Sequence, residues 1–211
     1  MTIGARAKGQ LWNYEEVTAV PEYDHEYWRI GLNGQYQFTS TSLLRLTAEY
    51  YTRRYGDRTA FELDGTQPLG NPNIRYDYTE FGVEARQRIT NQMWFAVEYT
   101  HTDRQDKYLG YNNYLRDTYG AEFHFRLGQR FDLEASARYS IYNYDNAFAF
   151  HEPTAGRKTL ETGIARVRAI FKMTSSLDLV ADYLLREVAS NDFRIQYDRG
   201  QGMLGVRWSP Q

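Results

Sequence analysis

Apolar and polar residues alternate along most of this chain with a period of two, and that pattern constrains the fold more than any other feature. From Phe131 to Ile141 the apolar set is Phe131, Leu133, Ala135, Ala137, Tyr139 and Ile141. Asp132, Glu134, Ser136, Arg138 and Ser140 lie between them. Only an extended strand sends two such sets to opposite faces. The same reading holds for Met93, Phe95, Val97 and Tyr99 against Glu98, Thr100 and Thr102. It holds for Tyr119 to Leu127 against Glu122, His124 and Arg126, and for Leu177 to Leu185 against Asp178, Asp182 and Arg186. No stretch carries a convincing helical period.

Counting these segments predicts about ten strands, at 2–14, 26–39, 42–55, 74–89, 92–104, 114–127, 130–144, 160–173, 176–188 and 197–208. Most are longer than the ~5–6 residues common in globular sheets. All five prolines, Pro21, Pro68, Pro72, Pro153 and Pro210, fall outside them, as residues that cannot donate to a ladder should. The connections alternate in kind. Thr39–Ser42, Thr90-Asn91, Gly128-Gln129 and Thr174-Ser175 read as tight turns, and 15–25, 56–73, 105–113, 145–159 and 189–196 as longer loops. Antiparallel neighbours would then place every tight turn at one end of the sheet and every long loop at the other. Strands entering the sheet from the loop end carry a glycine before alternating apolar residues: Gly31, Gly82, Gly120 and Gly205. Gly163 breaks phase with Arg166, Arg168 and Lys172, which predicts a bulge there or a misread strand start.

Strands with one apolar and one polar face suit two architectures. In a soluble barrel the apolar face points inward; in a transmembrane barrel it points to lipid and the polar face lines the lumen. Three features favour the membrane. The strands exceed the ~9–11 residues that cross a bilayer at a tilt. Turns and loops are segregated to opposite ends. Aromatics gather near strand ends, as in interfacial girdles: Trp28, Tyr50, Tyr99, Tyr119, Tyr139 and Tyr183 toward the loops, and Phe38, Phe95, Phe131, Phe171 and Trp208 toward the turns. Composition agrees once the alternation is taken into account. A mean hydropathy of -0.70 averages two opposed faces. The 25 Lys+Arg against 27 Asp+Glu suit a cross-paired lumen and give no basic footprint for nucleic acid. Cysteine is absent, so neither a disulfide framework nor a thiol nucleophile is available.

On these patterns the chain resembles the Gram-negative outer-membrane β-barrels, porin-like and similar to barrels associated with exopolysaccharide export or nutrient uptake. The ending Gly205-Val206-Arg207-Trp208 is similar to the aromatic last strand of that class, although Ser209-Pro210-Gln211 follow it. The resemblance implies an all-β, antiparallel up-and-down transmembrane barrel with short periplasmic turns and long extracellular loops, located in the bacterial outer membrane. It implies a single barrel domain over 1–211, or the C-terminal part of a larger one. Met1–Arg6 lacks an apolar export segment, so an exported chain would be a mature or trimmed form.

The lumen should then be lined by Arg45, Glu49, Glu84, Arg86, Arg88, Glu98, Glu122, Arg126, Glu134, Arg138, Arg166, Arg168, Lys172, Asp182 and Arg207. Opposite charges there should pair across strands, because an unpaired charge in a partly dry lumen is costly. Ten strands leave little free space beyond the side chains, so the lumen is either a salt-bridged plug or a narrow path. A path with basic residues near the periplasmic mouth would favour anions.

The long loops are expected to present Tyr108, Tyr111, Tyr114, Tyr142 and Tyr144 to sugars or proteins, or to pack these rings on one another. Asp24-His25 and His151-Glu152 fall in outer loops, where an omptin-like protease keeps its acids and histidine, but no Asp-Asp pair completes such a site. His124 reads as a member of a lumenal network, and no metal, cofactor or catalytic set is expected. Expected partners are outer-membrane lipid, a small solute or polysaccharide, or an envelope protein that uses the barrel as an anchor.

Overall fold

The computed structural model describes residues 2–12 and 25–209. Ten strands form one antiparallel sheet in sequence order: β1 (Thr2–Trp12), β2 (His25–Gln37), β3 (Ser42–Thr59), β4 (Asn73–Thr90), β5 (Met93–Asp106), β6 (Tyr114–Leu127), β7 (Phe131–Phe148), β8 (Arg157–Lys172), β9 (Leu177–Ser190) and β10 (Tyr197–Trp208). Each strand pairs with its chain neighbours, the up-and-down arrangement that short connections dictate. Among the described residues β1 and β10 are the two edges. The expected strands are all present. The loop 15–24 and the terminal Pro210-Gln211 lie outside the described residues.

The tight turns have a shared chemistry. The Thr39 hydroxyl accepts the amides of Thr41 and Ser42 at 3.1 and 3.0 Å. Thr90 accepts Gln92 N–H at 3.1 Å, and Thr174 accepts Ser176 N–H at 3.2 Å. A short hydroxyl side chain thus closes three of the four turns. The fourth uses Gly128, whose φ of +60° is one that glycine adopts freely.

Gly163 needs no bulge. The register with β7 runs unbroken from Phe131↔Phe171 to Asn143↔Thr159, and with β9 from Lys172↔Asp178 to Leu160↔Ser190. The strand simply starts earlier, at Arg157. Gly163 pairs with Tyr139 on the apolar face, whereas Gly31, Gly82 and Gly120 pair with residues of the polar face. Irregular register occurs instead between Arg54 and Thr59, Arg88 and Thr90, and Asn143 and Phe148.

The two faces have opposite environments. Trp28 is 68% exposed, Phe81 56% and Val97 50%, and Leu32, Leu46, Tyr119, Val167, Tyr183 and Val206 are exposed on the same side. An exposed apolar surface of this extent marks a face covered by lipid or a partner. The polar face is the concave one, because its side chains reach over an intervening strand. Arg138 of β7 meets Glu98 of β5, and Arg116 of β6 meets Glu80 of β4. The main apolar core lies under the loop end of this concave face: Ala60, Ile74, Tyr76, Tyr78 and Tyr114, flanked by Tyr51, Tyr55, Phe61, Tyr142 and Tyr144.

Candidate functional site

The concave face is a set of cross-strand ion pairs. Toward the turn end, Arg45 donates to Glu84 at 2.8 Å and Arg86 approaches the other Glu84 oxygen at 3.0 Å, while its guanidinium lies 4.3 Å from the Trp94 ring. Arg126 pairs with Asp132 at 3.1 Å and Arg207 with Asp178 at 2.5 Å. Further toward the loops, Glu49 pairs with Arg29. Asp182 takes Arg166, with Arg168 at 3.9 Å. The Glu98 carboxylate accepts Arg138 Nε–H at 2.8 Å. Arg88, Glu122, Glu134 and Lys172 share this face but form no ion pair among the described residues.

Two glycines make this pairing possible. Glu98, Gly120 and Arg138 stand in register on three successive strands. A Cβ on Gly120 would collide with the Glu98 side chain, so the missing methyl is the saddle across which Glu98 reaches Arg138. Gly31 likewise leaves room for Glu49, whose partner Arg29 lies on the same strand as the glycine; a Cβ there would fall 2.9 Å from Glu49 Cγ. Two of the recurrent glycines are therefore gaps for a carboxylate; Gly82 instead faces the Thr47 hydroxyl and Gly205 has no close neighbour.

Nearer the loops, arginines and tyrosines replace ion pairs. Arg104 lies with its guanidinium carbon 4.0 Å from the Tyr114 ring, 4.5 Å from Tyr76 and 5.8 Å from Tyr144. Its Nε–H donates to the Asn112 carbonyl at 2.8 Å. Rings on several sides stabilise the cation without a counter-charge. Tyr51 stacks on Tyr78 at 4.3 Å, with Arg29 over the Tyr51 ring at 5.5 Å. Lys158 lies 5.3 Å from the Tyr144 ring. Arg53, Arg104 and Lys158 form no ion pair among the described residues.

Of the five expected loop aromatics, Tyr114, Tyr142 and Tyr144 belong to strands and lie on the concave face, because their parity matches that of Arg116 and Arg138. Tyr111 is fully buried, its hydroxyl 3.2 Å from His151 Nδ1 and accepting Phe148 N–H at 3.1 Å. Tyr108 alone of the five is exposed, donating to Glu62 at 3.1 Å.

The loops lock onto one another. Phe61 stacks on His151 at 4.8 Å and on Tyr111 at 5.3 Å. Asn146 donates to the Gly110 carbonyl at 3.1 Å. Asp192 accepts Phe150 N–H at 3.1 Å and both Arg194 Nε (2.8 Å) and Nη2 (2.7 Å). That Arg194 contact, with the backbone donors, holds the Asp192 carboxyl far below its ordinary value. Desolvation, reinforced by the charges of Lys158 and Arg194, holds His151 below its ordinary value, so it is neutral at physiological pH. His25 packs 5.5 Å from the Tyr55 ring, and Asp24 lies outside the described residues. His101 faces the convex side and meets Asp117 at 2.8 Å, which also accepts Tyr99 at 2.6 Å.

Sequence reasoning passed over Arg29, Glu80, Trp94, Arg104 and Arg116. Their signal was parity alone: each is an even number of residues from a recognised lumenal position on its own strand or pairs with one. Glu80 is the hub among them. It accepts Thr102 at 3.1 Å and Arg116 at 3.2 Å, with Arg29 at 3.7 Å.

No family model and no curated protein matches the chain. Solved structures do. The outer-membrane-expressed OmpT of Vibrio cholerae aligns with a TM-score of 0.61 at 10% identity, over 90% of this chain and 58% of that one. A loop L8 deletion mutant of the same outer membrane protein aligns with a TM-score of 0.57 at 13% identity, over 90% and 56%. Its in-vitro folded form gives 0.54 at 11% identity, over 99% and 61%. The chain thus spans less than two thirds of the structures it matches. Its fold is that of the outer-membrane β-barrels.

Proposed function

We propose that this chain is a membrane-spanning part of a porin-like transport barrel of the bacterial outer membrane, and that its lumen favours small anions. One observation carries the reading: the charges left over on the concave face are mostly positive. Arg53, Arg88, Arg104, Lys158 and Lys172 form no ion pair among the described residues. The corresponding carboxylates are Glu122 and Glu134, with Asp106 engaged by the loop amides of Tyr108 and Asn112. A concave surface with a positive remainder raises the local concentration of anions and focuses their entry. Paired charges along the wall contribute fixed dipoles without a net sign.

Planar-bilayer recording in a salt gradient tests this. Discrete current steps are expected, with a reversal potential on the anion side, and Arg88→Glu with Lys172→Glu should move that potential toward cations. A flat trace at all voltages would instead favour a second reading, a non-conducting barrel that anchors an envelope partner. The interlocked loops around Phe61, Tyr111 and His151 are the observation that supports that alternative. A polysaccharide substrate would appear as blockade of the current by anionic oligosaccharides.

A further inference from the structure

We propose that His124, Asp132 and Glu134 form a site for a divalent cation of the zinc type at the turn end of the concave face. The three donors come from the β6–β7 hairpin, whose Gly128 turn holds the two strands in fixed register. His124 stands directly opposite Glu134, and Asp132 lies two residues from Glu134 on the same face. Their ligand atoms all lie within 4.8 Å of one another. A cation at roughly 2.0–2.2 Å from each would hold the donors roughly 3.4 Å apart, so the site tightens on binding.

The surroundings prepare these side chains for a cation. The His124 ring stacks on Trp94 at 5.5 Å with planes 20° apart, which fixes its orientation. Arg126 holds Asp132 Oδ2 through Nη2 at 3.1 Å and Nε at 3.3 Å. The other oxygen, Oδ1, is shielded from solvent and faces His124 Nε2 at 2.5 Å, so a cation would enter between these two atoms in place of the imidazole proton. A second, independent feature concerns charge. Arg168 is the β8 neighbour of Glu134 in register but leans instead to Asp182 at 3.9 Å. Glu134 is left without an ion pair, and so is Glu122 nearby. Two unpaired carboxylates therefore adjoin a third, Asp132, whose oxygens already face the Arg126 guanidinium and the His124 imidazole. A cavity of about 280 Å³ opens beside them, bounded by Trp94, Glu122, Glu134, Arg166 and Arg168, with room for the waters that would complete coordination. One imidazole nitrogen with two carboxylate oxygens suits a borderline transition cation; Mg²⁺ and Ca²⁺ prefer oxygen alone.

The test is calorimetric titration of chelator-treated, detergent-refolded protein with zinc chloride at neutral pH, with magnesium and calcium chloride in parallel. A saturable zinc isotherm near one equivalent is expected, with no heat from magnesium or calcium. His124→Ala should weaken zinc binding by more than about tenfold, the loss that even an outer-shell partner causes. No zinc isotherm, an isotherm unchanged by His124→Ala, or an equal response to magnesium would overturn the proposal. Zinc-edge X-ray absorption on the unmutated protein decides independently of the variant's folding. One imidazole among nitrogen and oxygen ligands supports the site, and none overturns it.

Discussion

At the residue scale, the absence of a side chain determines which charges meet. Gly120 separates Glu98 from Arg138 by one strand, and the carboxylate crosses where a Cβ would stand. Gly120→Val should therefore displace Glu98 and break the pair, at a cost of about 1–3 kcal/mol from overpacking. Gly205 on β10 has nothing within 4 Å of its Cβ direction, so Gly205→Val should leave stability nearly unchanged. Urea unfolding in lipid checks both; equal losses would show that Gly120 has no special role. The sequence revealed these glycines as a repeat but not their purpose, because the purpose lies in the strands on either side. Arg104 was hidden for a related reason. It reads as one more charge near a loop, and only folding surrounds it with Tyr76, Tyr114 and Tyr144 from three strands.

At the scale of elements, strands were readable and loops were not. A period of two is local, so Phe131 to Ile141 declares its strand and its faces without any partner. The turns at Thr39, Thr90 and Thr174 are local as well, each closed by its own hydroxyl. The loops take their form from distant contacts: Phe61 with His151, Gly110 with Asn146, Phe150 with Asp192. The sequence leaves open whether such aromatics bind a ligand or pack on one another, and Tyr111 lies in the packed interior of a loop cluster.

That cluster should be sensitive to pH. His151 and Asp192 both bind protons less readily when folded than when free, so each contributes stability above its ordinary pKa and loses it as pH falls through its lowered folded value. The His151 contribution is complete above about 6.5 and the Asp192 contribution above about 3.8. Limited proteolysis of the loops 107–113 and 149–156 should be slowest at neutral pH and quicken as pH falls below 6.5. Asp192→Asn should be cut faster than the parent at neutral pH. Cleavage independent of pH would remove these groups from the latch.

At the scale of the whole molecule, the account rests on which face meets lipid. Ten antiparallel strands place exposed Leu32, Leu46, Phe81, Val83, Val97 and Val167 on one surface and the ion pairs on the other. The balance of 25 basic and 27 acidic residues becomes intelligible as two unlike faces of one sheet, with the concave face retaining the positive remainder. Because the chain has no cysteine, single cysteines can be introduced and spin-labelled without background. The most direct measurement is collision accessibility of nitroxides at Val97, Ala135 and Val167, and at Glu98, Ser136 and Arg168, in protein refolded into lipid bilayers. The first three should show high contact with oxygen dissolved in the hydrocarbon and little contact with a water-soluble nickel chelate; the second three should not contact lipid. Lipid contact at Glu98, Ser136 and Arg168, or aqueous contact at Val97, Ala135 and Val167, would contradict the assignment.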